Sequence, residues 1–459
     1  MPVNSFDDYP MKWKPVLTDR SGAIYKKLAS QLAADIRSGH LKPGDKLPPQ
    51  RELADYLDIH LSTITRTYKL CEERGLICAK VGQGTFVASD VHASDTLLYA
   101  QEENTFIQMG TILPPYDGNE KIISFIRALF SLPDIQKFLE YGSPTGSLVQ
   151  RQNAARFLRM QHVAAQPHTL LFATGAQNAL CATMLALFRP GDRIGANALS
   201  FSGLKSIAKM IGVQLVPLPE KNGDLALDRL SHFCRSEHLK GLYLISDQHN
   251  PTTYTLTADE RQTIAKIAQE QNLILIEDAI NLLFSESAHP PLQAYTPAQT
   301  IFILSTAKFL SPGLRVAFLV VPEQWRDALE NALYNMNLMV SPLNLEIVSR
   351  IITSPLISDL LQIKRHVLRA RDCIVQEYLQ EFKLSGDATC LFRWLQLPAY
   401  VDSHALEHRA KENGLLLFSA DRFAIGKTSP PNAVRLAISS PKTTEELRQG
   451  LLILKSLLS

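Results

Sequence analysis

No apolar run in this 459-residue chain approaches the ~20 residues needed to cross a bilayer. Residues 1–20 hold no basic start followed by an apolar core of the kind that directs secretion. A soluble protein that stays in the cytoplasm, away from any membrane, is therefore expected. Cysteine is sparse: six, at positions 71, 78, 181, 234, 373 and 390, with no Cys-x-x-Cys pair. That argues against a zinc ribbon and against a disulfide framework, and no metal site is expected. Net charge is nearly absent as well, at +2, so the total says nothing about polyanionic partners. Its distribution does. Residues 20–88 carry 11 Lys and Arg against 7 Asp and Glu, a local basic excess of the sign that a polyphosphate needs. The chain as a whole is ordinary globular material, 46% hydrophobic and 20% charged, over a length that accommodates two or three cores.

The N-terminal stretch reads as helices followed by a hairpin. Tyr25 to Ser38 sets Leu28, Leu32 and Ile36 on one helical face. Pro49 can open a second helix, Gln50 to Leu57. Ser62 reads as the N-cap of a third, whose apolar face carries Ile64, Tyr68 and Cys71. Two β-type runs, Leu76 to Lys80 and Thr85 to Val87, flank Gly82-Gln83-Gly84. Three helices and a hairpin make a winged helix-turn-helix, in which the third helix presents Ser62, Thr63, Arg66 and Lys69 to base edges and phosphates. The strings Leu47-Pro48-Pro49-Gln50-Arg51-Glu52-Leu53-Ala54 and Gly82-Gln83-Gly84-Thr85-Phe86-Val87 resemble the GntR family of DNA-binding domains. The resemblance implies base contacts from Arg51 and from the start of the third helix, and a minor-groove approach by Gly82. Leu61 stands where that family often has an arginine.

Residues 89–109 show no sustained period and read as a linker. Beyond it, apolar runs alternate with helical stretches: Leu170–Thr174, Arg193–Asn197, Val213–Pro217, Gly241–Ser246, Leu273–Glu277, Thr300–Leu304 and Val316–Val321. This rhythm argues for a mostly parallel sheet with helices on both faces and ligands at the strands' carboxyl ends. Chemistry-bearing residues fall at those ends. Gly175-Ala176-Gln177 opens a helix, a natural phosphate site. Asn250 follows one strand, and Asp278 follows another, where a carboxylate can pair with a protonated ring nitrogen. Lys308 sits on the short connection between two apolar runs, where burial favours the free amine that Schiff-base chemistry requires. Ser305 and Arg315 flank it with groups suited to a phosphate.

Ser305-Thr306-Ala307-Lys308 followed by Pro312-Gly313-Leu314-Arg315 resembles the Schiff-base segment of fold-type I aminotransferases, and the likeness runs from about Tyr141 to the C-terminus. It implies pyridoxal 5'-phosphate held by Lys308 as an internal aldimine. Gly175, Ala176, Gln177, Ser305 and Arg315 would then hold its phosphate, and Asn250 and Asp278 its ring. Phe201 would stack on that ring, and Tyr141 would reach the neighbouring subunit's phosphate. Pro322 to about Leu384 reads as helical and precedes a smaller α/β unit. Within it Arg435 lies in an apolar strand, where a buried guanidinium calls for a carboxylate, either from the chain itself or, as the resemblance implies, from an amino-acid ligand.

Together the two likenesses resemble the MocR subfamily of GntR-type transcription regulators. The expected fold is α/β: a winged helix-turn-helix over residues 1–88, the linker 89–109, and a fold-type I aminotransferase-like domain over 110–459 with a small lobe from about 323. The resemblance implies a homodimer that binds an operator in double-stranded DNA and senses a small amino compound through aldimine exchange at Lys308. The alternative is a working aminotransferase with a fused DNA-binding domain. Ile280 stands where enzymes and many MocR proteins carry a tyrosine that donates to the cofactor's ring oxygen. A raised aldimine pKa and weak catalysis are expected from it, which leans toward a sensor.

Overall fold

Leu28, Leu32 and Ile36 recur at a four-residue spacing, and the segment carrying them is a helix, α1 (Ile24–Arg37), with all three side chains buried. Pro49 is the N-cap of α2 (Gln50–Leu57), and α3 (Leu61–Glu73) follows after three residues. Strands β1 (Ile77–Lys80) and β2 (Gly84–Val87) pair antiparallel, with Ile77 opposite Val87. Their shared core includes Leu47, Leu53, Ile64 and Tyr68, whose phenol donates to the Pro48 carbonyl at 2.7 Å. The third helix starts two residues earlier than Ser62 as N-cap implies. Ser62 is inside the first turn, and His60 caps instead: its Nδ1 accepts from the Ser62 backbone N–H at 3.3 Å and pairs with the Ser62 hydroxyl at 2.7 Å. An imidazole lone pair satisfies the orphan donor that a serine or aspartate oxygen would otherwise take.

The computed structural model describes residues 11–17, 22–38, 40–41, 44–73, 76–80, 84–87, 106–221, 223–286, 289–426 and 428–458. Gly82 and all of the expected linker before residue 106 lie outside them. The chain divides into two compact units, Met1–Thr96 and Leu97–Ser459. Among the described residues no helix is long and apolar enough to cross a membrane.

The larger unit is built on a seven-stranded sheet. After β3 (Ile107–Gln108), its strands are β4 (Leu170–Ala173), β5 (Arg193–Ala196), β6 (Gln214–Pro217), β7 (Gly241–Leu244), β8 (Ile274–Asp278), β9 (Thr300–Ser305) and β10 (Ala317–Val320). The order is β4-β10-β9-β8-β7-β5-β6. Only β10 runs against its neighbours. Strands β8 and β9 are buried throughout, which is why they read as unbroken apolar runs rather than alternating ones. One face packs Phe172, Phe302 and Phe318 with Phe309, and the other packs Leu171, Ile301, Ile303 and Leu319. Because β10 is antiparallel to β9, only a short turn joins them. That turn stays at the carboxyl end of the sheet, beside the end of β8, where Asp278 pairs in register with Ile303.

The expected helical run from Pro322 to Leu384 is three helices and the start of a strand. The helices are Glu323–Asn337, Pro342–Ile351 and Leu356–Leu379, with Pro342 and Pro355 at the breaks, and Leu384 lies in β11 (Lys383–Ser385). A proline cannot donate within a helix, so each starts a new one. The small lobe adds β12 (Arg393–Gln396), β13 (Leu415–Leu416), β14 (Phe418–Ser419) and β15 (Ala433–Leu436), with β11-β12-β15-β14 forming one sheet. Strand β13 leaves that sheet to pair in parallel with β3. The last helix, Thr444–Leu458, buries Leu447, Leu451, Leu454 and Leu458.

Candidate functional site

The carboxyl ends of β7, β8 and β9 converge on Asp278, Tyr243 and Lys308. Tyr243 donates its phenol to Asp278 Oδ2 at 2.8 Å. The other oxygen, Oδ1, is buried without a hydrogen-bond partner among the described residues. Burial lifts Asp278 to about 6, against the Tyr243 phenol, the Ile280 backbone N–H and the charge of Lys308, which all lower it. An orphaned buried carboxylate oxygen is an acceptor awaiting a donor. Lys308, half-buried in the β9–β10 turn, donates to the Ile112 carbonyl at 2.5 Å. Burial brings it down to about 8, the Arg435 cation pushes the same way, and Asp278 opposes.

A second group forms around the start of α4 (Ala176–Leu187). Gly175 sits at φ 96° as its N-cap, and a Cβ there would lie 2.5 Å from Arg315 Nη2. Glycine is thus required twice, by the backbone and by the approaching guanidinium. Arg315, itself at φ 52°, donates to the Thr174 carbonyl at 2.9 Å. Ser305 Oγ accepts from the Ala307 N–H at 3.2 Å. Gln177 Nε2 donates to the Gly203 carbonyl at 3.3 Å. Gly203 lies in α5 (Ser202–Ile211), and a Cβ on it would come within 2.3 Å of the Phe201 ring and 2.5 Å of Gln177 Oε1. Gly203 therefore sets how closely Phe201 and Gln177 approach. Only its packing exposes this role, since nothing in its sequence neighbourhood marks it.

Arg435 on β15 is 4% exposed and has no carboxylate partner among the described residues. Its Nη1 donates to Asn250 Oδ1 at 2.6 Å and its Nη2 to the Gly110 carbonyl at 2.5 Å, while Nε is unpaired. The rings of Phe423, Phe418 and Phe392 surround it, the nearest centroid 4.6 Å away. Burial draws it down to about 9, helped by Arg422. Among the described residues the internal ion pair that its sequence left open is not formed.

Both Lys308 and Arg435 thus spend donors on backbone carbonyls of one segment, residues 109–113. That segment is strapped to the end of β15. Ala437 N–H donates to the Met109 carbonyl at 2.8 Å, Ser440 Oγ donates to the Thr111 carbonyl at 2.6 Å and accepts from the Leu113 N–H at 2.9 Å, and Ser439 Oγ donates to the Leu113 carbonyl at 2.5 Å. Sequence reasoning missed this strap because it acts through carbonyls, which no side-chain pattern announces. It missed Tyr243 too, which is one more aromatic in an apolar strand until its phenol is seen against Asp278.

Tyr141 stands apart from this cluster, 85% exposed. In the N-terminal unit Arg51, Ser62, Arg66 and Lys69 are exposed and Thr63 is half-buried. Thr65 Oγ1 donates to Gln50 Oε1 at 2.8 Å, which ties the start of α2, where Arg51 sits, to the first turns of α3.

Residues 104–451 match the family described as aminotransferase class I and II, and residues 24–87 match the bacterial regulatory proteins of the gntR family. The HTH-type transcriptional regulator YdeF of Bacillus subtilis is 41% identical over 458 residues, covering 100% of this chain and 99% of that protein. The HTH-type transcriptional regulator TauR of Rhodobacter capsulatus is 23% identical, over 91% of this chain and 93% of its own length. Among solved structures, LysN, an α-aminoadipate aminotransferase from Thermus thermophilus in complex with N-(5'-phosphopyridoxyl)-L-leucine, superposes with a TM-score of 0.70 at 22% identity, covering 77% of this chain and 92% of that one. An archaeal alanine:glyoxylate aminotransferase does so with a TM-score of 0.72 at 18% identity, over 85% and 98%. The two enzymes share the fold of the larger unit.

Proposed function

This chain belongs to the MocR-type HTH transcriptional regulators, in which a gntR-family domain is joined to an aminotransferase class I and II domain, and from that premise we propose that it binds pyridoxal 5'-phosphate at Lys308 and reads a carboxylate-bearing amino compound there. One observation carries the reading. The two cations of the site, half-buried Lys308 and buried Arg435, donate among the described residues to neutral oxygens, the Ile112 and Gly110 carbonyls and Asn250 Oδ1. A cation so held exchanges readily for a better acceptor, because a carboxylate adds an ion-pair attraction that a neutral carbonyl lacks.

The residues present fit the cofactor. Asp278 Oδ1 lacks the donor that a protonated pyridine nitrogen would supply. Gly175, the first N–H groups of α4, Ser305 and Arg315 offer an anion site with no room for a Cβ. Asn250 and Phe201 would complete the ring contacts, with Ala176 and Gln177 at the phosphate. Bound there, pyridoxal phosphate supplies an aldehyde that condenses reversibly with primary amines. Lys308, with its pKa near 8, has an appreciable free-amine fraction at neutral pH and can give up its place to an incoming amine. Arg435 takes that amine's carboxylate, and in doing so lets go of the Gly110 carbonyl. A Lys308 amine committed to holding the cofactor would no longer donate to the Ile112 carbonyl. Occupancy of the site therefore competes with the strap, which in sequence follows the segment 88–105 that joins it to the DNA-binding unit.

Arg51, Ser62, Thr63, Arg66 and Lys69, together with Gly82, would meet an operator in double-stranded DNA. A homodimer belongs to the same reading, since Leu139, Tyr141, Leu148 and Val149 are exposed apolar residues that a second copy would cover, with Tyr141 reaching its site. The test is the visible spectrum of the full-length protein and of Lys308→Ala during titration with a panel of amino acids. A cofactor-dependent band present only in the native protein, shifted by one amino acid without keto acid accumulating, is expected. Keto-acid release over many turnovers would instead make it a working aminotransferase.

A further inference from the structure

A cavity of about 620 Å³ opens between the sheet of the larger unit and the small lobe. It draws its walls from both, and neither Lys308, Asp278, Asn250 nor Arg435 lines it. Three carboxylates do: Glu220, Asp224 and Asp387. No lysine or arginine among the described residues lines it. Three like charges around one space, with no counter-ion among the described lining residues, favour a cationic occupant.

The occupant is organic rather than a metal ion. No group of three or more His, Cys, Asp and Glu among the described residues is arranged to hold one. The cavity also has aromatic walls, Trp394 and Tyr254, which suit an ammonium group. Two nearly buried polar side chains line it with atoms left over. Trp394 is 5% exposed, and its indole N–H has no partner among the described residues. His249 is 4% exposed, and it uses only Nδ1, to Thr252 Oγ1 at 2.7 Å. Burial drops His249 to about 4, so its ring is neutral at pH 7. Neither the indole nitrogen nor His249 Nε2 is among the fully buried unpartnered atoms, so both reach open space where a ligand can supply a hydrogen-bond partner.

We propose that this cavity is a second, non-covalent ligand site, distinct from the Lys308 site, that takes a small organic ammonium compound carrying a hydroxyl or carbonyl acceptor. Its effect on the first site follows from the chain. His249 and Thr252 line the cavity, and Asn250 between them accepts from Arg435. Thr253 faces the small lobe, its Cγ2 3.2 Å from where a Cβ on Gly386 would sit. An occupant braces this loop against the small lobe and fixes the Asn250 side of the Arg435 site.

Full-length Lys308→Ala protein, titrated with choline and with lysinamide, tests the proposal. Choline cannot condense with an aldehyde, so its binding reports the cavity whether or not the Lys308 reading holds, and lysinamide, a primary amine, counts only where choline displaces it. One saturable site per chain is expected, with a change in tryptophan fluorescence that Trp394→Phe abolishes. Asp224→Asn and Asp387→Asn, both at exposed positions, should each weaken binding at least fivefold. The absence of binding by both probes at millimolar concentration would overturn the proposal, as would binding that neither asparagine variant weakens.

Discussion

A lysine whose ammonium form is disfavoured by burial costs the fold free energy until something engages its amine. Lys308 titrates near 8 in the folded protein against an ordinary 10.5. The folded state therefore binds fewer protons than the unfolded one between those values, and stability rises with pH through that window and is lost as pH falls toward 8. Lys308→Met should raise the melting temperature of the cofactor-free protein at pH 7, by the equivalent of roughly 1–3 kcal/mol. The advantage should shrink above pH 8 and vanish near 10.5. Melting curves at pH 7 and pH 10 check this, and a variant that melts below the native protein at pH 7 contradicts it. Tyr243 makes a second case. Its phenol helps keep Asp278 as low as about 6, so Tyr243→Phe should leave more of that carboxyl protonated at pH 7. Cofactor retention, measured by dialysis against free pyridoxal phosphate, should fall about tenfold at pH 7, as for the loss of one hydrogen bond to a charged group, with the deficit narrowing at pH 8.5. This residue also shows why a single position misleads. Ile280 reads as the loss of a phenol near the cofactor, yet Tyr243 brings a phenol to Asp278 from the neighbouring strand, and such a contact depends on the parallel register of β7 against β8, which sequence spacing does not encode.

Elements differ in how plainly they announce themselves. Strands β8, β9 and β10 were legible because burial on both faces demands continuous apolar runs, and the turn with Lys308 was legible as the interruption between two of them. The lobe's helices were legible as one stretch, and the breaks at Pro342 and Pro355 needed more weight than a continuing apolar period suggested. The strap at 109–113 was not legible at all, since its function resides in carbonyl direction. Ser440 anchors it with two hydrogen bonds. Ser440→Ala should therefore loosen it by about 1–3 kcal/mol, seen as faster amide exchange across residues 107–113 with β8 and β9 unchanged. In α3, Lys69→Ala should weaken operator binding about equally for all sequences and reduce the salt slope by about one. Anisotropy titrations across a range of salt concentrations read both quantities.

Over the whole molecule, two units with separate cores should unfold in two calorimetric transitions rather than one. Pyridoxal phosphate at about a hundred times its dissociation constant adds roughly 2.7 kcal/mol to whichever unit binds it. The transition of the larger unit should move up by a few degrees and that of the winged helix should stay in place. A single merged transition would mean that the units stabilise each other. The strap bears on the same question from the other side. If vacating the Gly110 and Ile112 carbonyls alters the affinity for an operator by some factor, thermodynamic reciprocity requires the operator to alter the affinity for the amine by that same factor. An operator duplex added to the protein is then itself an effector of the amine site, and the amine's dissociation constant measured with and without DNA reports the regulatory coupling without a gene or a promoter in the experiment.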